Sequence, residues 1–310
     1  LGSGCGAITR FIGELGHNVH AIEGSSKRAM ICATRCRDLD NVNVYNANYN
    51  QIDLENNKYD YIFSIGVLEY AAFFLDDNKE NPKEAVRKIL NQLNSKLRQN
   101  GKLVIAIENK LGLKYLTGCS EDHVPYEFEG INGYPNSKNI STYTKLELTD
   151  LVKSAGLTNV KFFYPFPDYK LPQNIISESY INQKGAEALL GHFEDYNIKR
   201  KYRMPEQLFA KTLLQEGILS KFSNSFLLFA SKNKIMDLGD DFDFVHYTNA
   251  RRKECYSHII KKNTNENFIR KTNLFSNPTD SDTDLILGLQ NIPYDQNMFS
   301  NKVSNEPFHE

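Results

Sequence analysis

Ile8, Phe11, Ile12 and Leu15 share one helical face, and Gly16 supplies the stop of a first predicted helix. Asn18 to Ile22 reads as a short strand closed by Glu23, and Ser25 or Ser26 caps a second helix running to Arg37. Val42 to Tyr45 predicts another strand. Tyr59 to Ile65 is a dense apolar run of the kind buried on both faces of a sheet. Ala85, Val86, Ile89, Leu90, Leu93 and Leu97 line one face of a helix predicted over Pro82 to Leu97, with proline near its start. Asn100-Gly101 then turns the chain into an apolar strand, Lys102 to Ile107. Thr144 and Glu147 form a capping box before Leu146, Leu148, Leu151 and Val152, and Gly156 ends that helix. Val160 to Tyr164 and Phe226 to Ala230 predict two further strands. Strands alternating with helices imply a parallel sheet with right-handed crossovers.

Two stretches interrupt this rhythm. Lys110 to Ser141 is rich in Gly, Pro, Tyr and acidic residues; Pro165 to Asn224 carries helical patches around Ala186 to Phe193 and Pro205 to Leu219. Both leave the C-terminal side of predicted strands, where open α/β sheets bind ligands, and so read as lids or substrate walls. Beyond about Lys234, Cys255 to Lys262 and Phe268 to Leu274 predict a hairpin across Asn263 to Asn267. From Ser276 on, Asn, Asp, Ser and Pro dominate, the composition of a poorly ordered tail.

The 310 residues, 40% hydrophobic and 24% charged, supply enough apolar mass for one large core or two smaller ones. A net charge of −1 advertises neither nucleic-acid nor membrane binding. The apolar run Tyr61 to Leu75 is broken by Ser64, Gly66 and Glu69 and is no membrane span. The five cysteines (Cys5, Cys32, Cys36, Cys119 and Cys255) include no CxxC pair, which points to free thiols in a reducing, cytoplasmic setting. Cys32 and Cys36 lie one helical turn apart, but no further His or Cys cluster joins them, so buried packing is expected and no metal site. Arg251-Arg252-Lys253 reads as a solvated basic face.

Candidate chemistry begins at Leu1-Gly2-Ser3-Gly4-Cys5-Gly6-Ala7, a glycine loop followed at once by a helix. Glycine lets backbone approach a ligand closely, and a helix N-terminus beside it suits a nucleotide-like cofactor. Gly2, Gly4 and Ala7 also satisfy a dinucleotide fingerprint, so a nicotinamide or flavin enzyme stays open here. The strand expected before the loop is absent, and a chain starting inside its cofactor loop reads as a fragment. Glu23, at a strand end, suits bidentate acceptance from ribose hydroxyls in either cofactor class. Asn48 can meet an adenine edge as donor and acceptor, and the Gly66 turn after the Tyr59 strand can close over the rest of the cofactor.

This succession, LGSGCG, AIEGS at Ala21 to Ser25, NAN at Asn46 to Asn48, YDYIFSIGVLEY and NGKLVIAIEN, resembles the class I S-adenosylmethionine-dependent methyltransferases. The resemblance spans about residues 1 to 232. IENKLGLKY at Ile107 to Tyr115, EDH at Glu121 to His123, GYP at Gly133 to Pro135 and FYPFPDYKLP at Phe163 to Pro172 are most similar to methyltransferase domains of bacterial cell-surface polysaccharide gene sets, often fused to glycosyltransferases. The resemblance implies a Rossmann-like α/β fold: a mostly parallel seven-stranded sheet with an antiparallel last strand pair and a truncated first strand. Residues 1–232 would form the methyltransferase domain, with substrate inserts at about 110–141 and 165–224, and 233–310 a C-terminal extension.

It also implies S-adenosylmethionine as cofactor, with Gly2, Gly4 and Gly6 on its methionine and ribose side and Glu23 on the ribose hydroxyls. Asn48 would lie at the adenine, where the family often has Asp, and Ser3, Gly24, Ser25, Gly66 and Val67 would complete the cofactor site. Methyl transfer to a hydroxyl needs positioning and a base. His123, beside Asp122, and Asp168 in FPDYK are the candidate bases, with Asn109, Tyr115 and Tyr169 placed to orient the acceptor. The acceptor implied is a sugar or surface-glycan precursor. The alternatives are a nicotinamide-dependent oxidoreductase and a non-catalytic cofactor-binding module of a multidomain glycan-assembly protein.

Overall fold

A computed structural model describes residues 1–48, 51–74, 81–137, 139–191, 193, 195, 200–233, 241–248, 257–266, 268–273 and 290–293. The first part of the chain runs α1 (Ala7–Glu14), β1 (Val19–Glu23), α2 (Ser26–Arg35), β2 (Val42–Asn46), β3 (Tyr59–Ile65), α3 (Ala71–Phe74), α4 (Pro82–Lys96) and β4 (Leu97–Glu108). It continues through α5 (Leu113–Leu116), α6 (Lys145–Ser154), β5 (Asn159–Phe166), β6 (Asn174–Ser177), α7 (Glu206–Gln215) and β7 (Ser225–Ser231). Four strands close it: β8 (Phe242–Tyr247), β9 (His258–Asn263), β10 (Phe268–Asn273) and β11 (Gln290–Pro293). The helix starts follow the sequence signals. Asn81 Oδ1 accepts from Lys83 N–H at 3.0 Å with Pro82 in the first turn of α4, and Thr144 and Glu147 cap α6 reciprocally.

The sheet differs from the mostly parallel seven-stranded expectation. β1 and β2 pair in parallel as a separate two-stranded sheet. The other nine strands form one sheet in the order β11-β10-β9-β8-β6-β5-β7-β4-β3. Only β3 and β4 are parallel neighbours in it; every other pair is antiparallel. The cause is twofold. β7 inserts between β4 and β5 and runs against both, and β6 then recruits β8, β9, β10 and β11 as an antiparallel meander. The expected antiparallel pairing of Val160–Tyr164 with Phe226–Ala230 is present in β5 and β7, as neighbours joined across a long excursion rather than a hairpin. The predicted turn does join β9 to β10. The tail from Ser276, apart from β11, and Arg251-Arg252-Lys253 lie outside the described residues.

Residues 1–3 connect the two sheets: the Leu1 nitrogen donates to the Phe63 carbonyl of β3 at 2.7 Å, and Ser3 N–H to the Ile22 carbonyl of β1 at 3.1 Å. One core joins the helices to the large sheet. Val86, Ile89, Leu90 and Leu93 of α4 and Leu148 and Val152 of α6 pack with Leu103, Ile105 and Ile107 of β4, Phe162 and Tyr164 of β5, and Phe226 and Leu228 of β7. That packing holds the carboxyl ends of β3 and β4 side by side, where the functional residues gather.

Candidate functional site

The glycine loop passes through left-handed backbone at Gly2 (φ 60°), Gly4 (φ 56°) and Gly6 (φ 81°), a region that residues with a Cβ rarely adopt. Two of these positions are also closed to side chains. A Cβ on Gly2 would stand 2.5 Å from Val67 Cγ2, and one on Gly6 2.6 Å from Cys32 Sγ. At Gly4 the corresponding space is open. The loop is thus fixed at both ends by close packing and bare in the middle, as a ligand-facing backbone requires. Cys32 and Cys36 are buried free thiols, in keeping with a packing role.

Beside Gly4 lies Glu23, 2% exposed at the end of β1. Its Oε2 accepts Gly4 N–H at 2.8 Å; its Oε1 accepts Ser25 N–H at 2.9 Å and Arg28 Nη2 at 2.8 Å. Burial pushes this carboxyl up, but the Ser25 N–H, Arg28 and the Gly4 N–H outweigh it and hold it below its ordinary value. The carboxylate is therefore charged and aimed at the loop. Arg28 reaches it from α2 with a side chain 60% exposed, which makes this the most easily exchanged of the three contacts. Asn46, not predicted as a site residue, donates to the carbonyls of Glu23 (3.0 Å) and Gly24 (3.3 Å) and ties β2 to the same corner. Asn48 follows at the end of β2, its N–H accepted by Gln51 Oε1 at 3.2 Å.

Gly66 (φ 64°) joins this corner to a second cluster. A Cβ there would lie 2.7 Å from the Tyr169 hydroxyl and 3.6 Å from Glu69 Oε1. Behind Tyr169, charged side chains are buried together. Glu108, fully buried at the end of β4, receives Lys170 Nζ at 2.8 Å and the Tyr169 hydroxyl at 3.2 Å, both on Oε1. Lys170 also meets Asp122 Oδ1 at 2.9 Å. Lys114, fully buried in α5, lies 2.6 Å from Asp122 Oδ2 and 3.3 Å from Asp168 Oδ2. Tyr115 donates its hydroxyl to Asp122. His123 sits with Nδ1 2.7 Å from the Tyr70 hydroxyl and Nε2 facing Glu108 Oε2 at 3.5 Å, and its backbone N–H is accepted by Glu121 at 3.1 Å.

The fields in this cluster pull neighbouring carboxyls apart. Burial, then the adjacent Glu108, pushes Glu69 up to about 8. Glu108 goes the other way, its burial outweighed by His123, Lys170 and Lys114. His123 is raised: burial lowers it, but Glu108, Glu121 and Glu69 prevail. Two buried carboxyls side by side cannot both ionise cheaply, so one keeps its proton.

His123, Asp168, Tyr115 and Tyr169, named from the sequence, thus lie in one connected cluster. Asp168 is held there with Oδ1 accepting Lys170 N–H at 2.8 Å and Oδ2 against Lys114. Asn109 lies apart in function. Its Nδ2 donates to the carbonyls of Lys221 and Ser223 and its Oδ1 accepts Leu111 N–H, so the side chain is spent on joining chain segments. Glu69, Tyr70, Glu108, Lys114 and Lys170 were not predicted. A signal existed for Glu69, a single charge inside an apolar run, because an acid embedded in core sequence has to be paired or functional.

A left-handed glycine loop opening a helix, with a buried carboxylate closing the next strand, is an arrangement suited to a nucleoside-type cofactor. Residues 1–103 match the family described as "Methyltransferase domain". The match covers about a third of the chain and makes that part similar to a methyltransferase domain. No curated protein matches the chain significantly. Among solved structures, a S-adenosylmethionine-dependent methyltransferase of Thermotoga maritima, described as a possible histamine N-methyltransferase, is similar with TM-score 0.40 and 17% identity, over 75% of this chain and 80% of that one. Phosphoethanolamine N-methyltransferase 2 of Haemonchus contortus, in complex with S-adenosyl-L-methionine, gives 0.43 and 16%, over 75% and 47%. A S-adenosylmethionine-dependent methyltransferase of Archaeoglobus fulgidus gives 0.41 and 16%, over 74% and 82%. Likenesses at these TM-scores leave this chain's acceptor unassigned.

Proposed function

We propose that this protein transfers a methyl group from S-adenosylmethionine to a hydroxyl of a sugar or surface-glycan precursor. One observation carries the reading. The four stretches whose resemblance points to glycan-modifying methyltransferases are separated in sequence, yet Glu108, Lys114 and Tyr115 of the first, Glu121, Asp122 and His123 of the second, Tyr134 of the third and Asp168, Tyr169 and Lys170 of the fourth join in one cluster. Tyr134 enters it through its hydroxyl, which donates to Glu121 Oε1 at 2.9 Å. The cluster adjoins Gly66, and tyrosine rings with buried carboxylates are the groups that grip the apolar faces and hydroxyls of sugars.

In this reading Gly2, Ser3, Gly4, Gly6, Glu23, Gly24, Ser25, Asn48, Gly66 and Val67 hold the cofactor, with Arg28 yielding its place on Glu23 to the ribose hydroxyls. The cofactor supplies a methyl group on a positively charged sulfur, which an oxygen nucleophile takes by in-line displacement. Tyr115 and Tyr169 wall the acceptor, and the hydroxyl proton passes to the buried group that contains His123. Asp168 acts through Lys114 as a positioning residue. The free thiols Cys5, Cys32, Cys36 and Cys119 suit the cytoplasmic setting proposed, and among the described residues no helix is long and apolar enough to cross a membrane.

Calorimetry with S-adenosylmethionine and its demethylated product, followed by labelled-methyl transfer to nucleotide sugars and lipid-linked glycans, tests the proposal. The expected result is saturable cofactor binding and label on a sugar oxygen. Absence of cofactor binding, or label only on nitrogen acceptors, overturns it.

A further inference from the structure

We infer that Glu69, Glu108 and His123 form a binding site for a divalent transition-metal ion. The three come from separate segments: the turn after β3, the last residue of β4, and the loop following α5. One ligand atom from each lies within 4.8 Å of the other two. Glu69 Oε2, Glu108 Oε2 and His123 Nε2 are all buried, and each is without a hydrogen-bond partner. A single buried polar atom left unpaired is costly, and three converging on one point call for a common occupant. Glu69 and Glu108 are 2% and 0% exposed, and the His123 side chain 4%.

The surroundings are arranged as metal sites usually are. Tyr70 engages Nδ1 of His123 at 2.7 Å, which leaves Nε2 as the ligating nitrogen. Lys170 and Tyr169 engage only Oε1 of Glu108, so Oε2, which faces His123 Nε2 at 3.5 Å, is placed to share the ion with it. The Glu69 carbonyl accepts Ser141 N–H at 3.0 Å, anchoring that residue's backbone. Two carboxylate oxygens and one imidazole nitrogen are borderline-hard donors that suit Mn²⁺ or Zn²⁺ and leave coordination positions open. Lys170, paired with Glu108, has a side chain 43% exposed. Lys170 and Lys114 are the cations that oppose the ion; Glu121 adds negative charge beside His123.

The binding site stands on this geometry alone. Its use rests on the proposed function: an ion here, beside Gly66, would hold an acceptor hydroxyl and lower its pKa, and His123 would then act through the ion rather than as a free base.

The experiment is titration of the full chain, stripped with chelator, with Mn²⁺ followed by electron paramagnetic resonance, and with Zn²⁺ followed by calorimetry. The expected result is one saturable site per chain, weakened roughly tenfold or more in Glu69→Gln and in His123→Gln. Tyr70→Phe keeps every ligand and removes only the hydrogen bond to His123; a similar loss there is expected and guards against variants that fail to fold. Glu178→Gln, a surface carboxylate paired with Lys145, is expected to bind as the parent does. No saturable site in the parent chain, or affinity unchanged in Glu69→Gln, His123→Gln and Tyr70→Phe, overturns the inference. S-adenosylmethionine calorimetry on the same samples tests the cofactor reading separately, since metal and cofactor use different residues.

Discussion

The glycine-loop corner and the buried charged cluster are built by opposite means. In the corner, Gly2, Gly4, Gly6, Glu23 and Asn46 fall within the first forty-six residues, and backbone conformation does most of the work: left-handed glycines and N–H groups surround one carboxylate. In the cluster, side chains from the ends of β3, β4 and β5 and the excursions after them do the work, and charge must be balanced in the interior. The first arrangement is local and draws on an exposed partner, Arg28. The second is long-range, and loss of one member strands the others.

That contrast can be broken most forcefully at Lys114. Lys114→Met leaves Asp122 and Asp168 buried without their shared cation, and a loss of about 3–5 kcal/mol is expected in denaturant melts. A cost below about 1 kcal/mol would mean that the cluster is wetter and looser than drawn. Next comes Gly6→Val, which combines a left-handed φ with a Cβ set against Cys32. The expectation is roughly 2–3 kcal/mol of lost stability and a cofactor affinity reduced about a hundredfold by calorimetry. The smallest effect belongs to Arg28→Ala, which leaves Glu23 Oε1 with the Ser25 N–H alone. Cofactor affinity should hold or improve a few-fold while the melting temperature barely moves; a large fall in affinity would show that Arg28 is a ligand contact rather than a displaceable occupant.

The same contrast explains what was legible in the sequence. Local signals carried far: the Tyr59–Ile65 strand, the proline-initiated helix from Pro82, and the Thr144–Glu147 capping box all stand where their residues place them. The glycine loop and Glu23 stood out in the sequence because each sits at the end of a short local pattern, and the structure brings Glu23 against the Gly4 N–H. β6, only four residues long, and β8 were missed, since short strands inside polar excursions are defined by their partners. Missing them turned a mostly antiparallel sheet into a mostly parallel expectation. His123 and Asp168 were recognisable by residue type, but Glu108 and Lys114 were not, because nothing in a linear pattern reports which buried charges will face each other.

β6 has one more consequence. It hydrogen-bonds to β5 along one side and to β8 along the other. A sheet stopping at β6 would present a raw row of amides and carbonyls, ready to template the addition of a strand from another molecule. By laying β8 over that row, the C-terminal segment works as a selvedge that keeps the large sheet from unravelling into its neighbours. A chain cut at residue 232 should therefore be prone to self-association even with the glycine loop and the charged cluster in place.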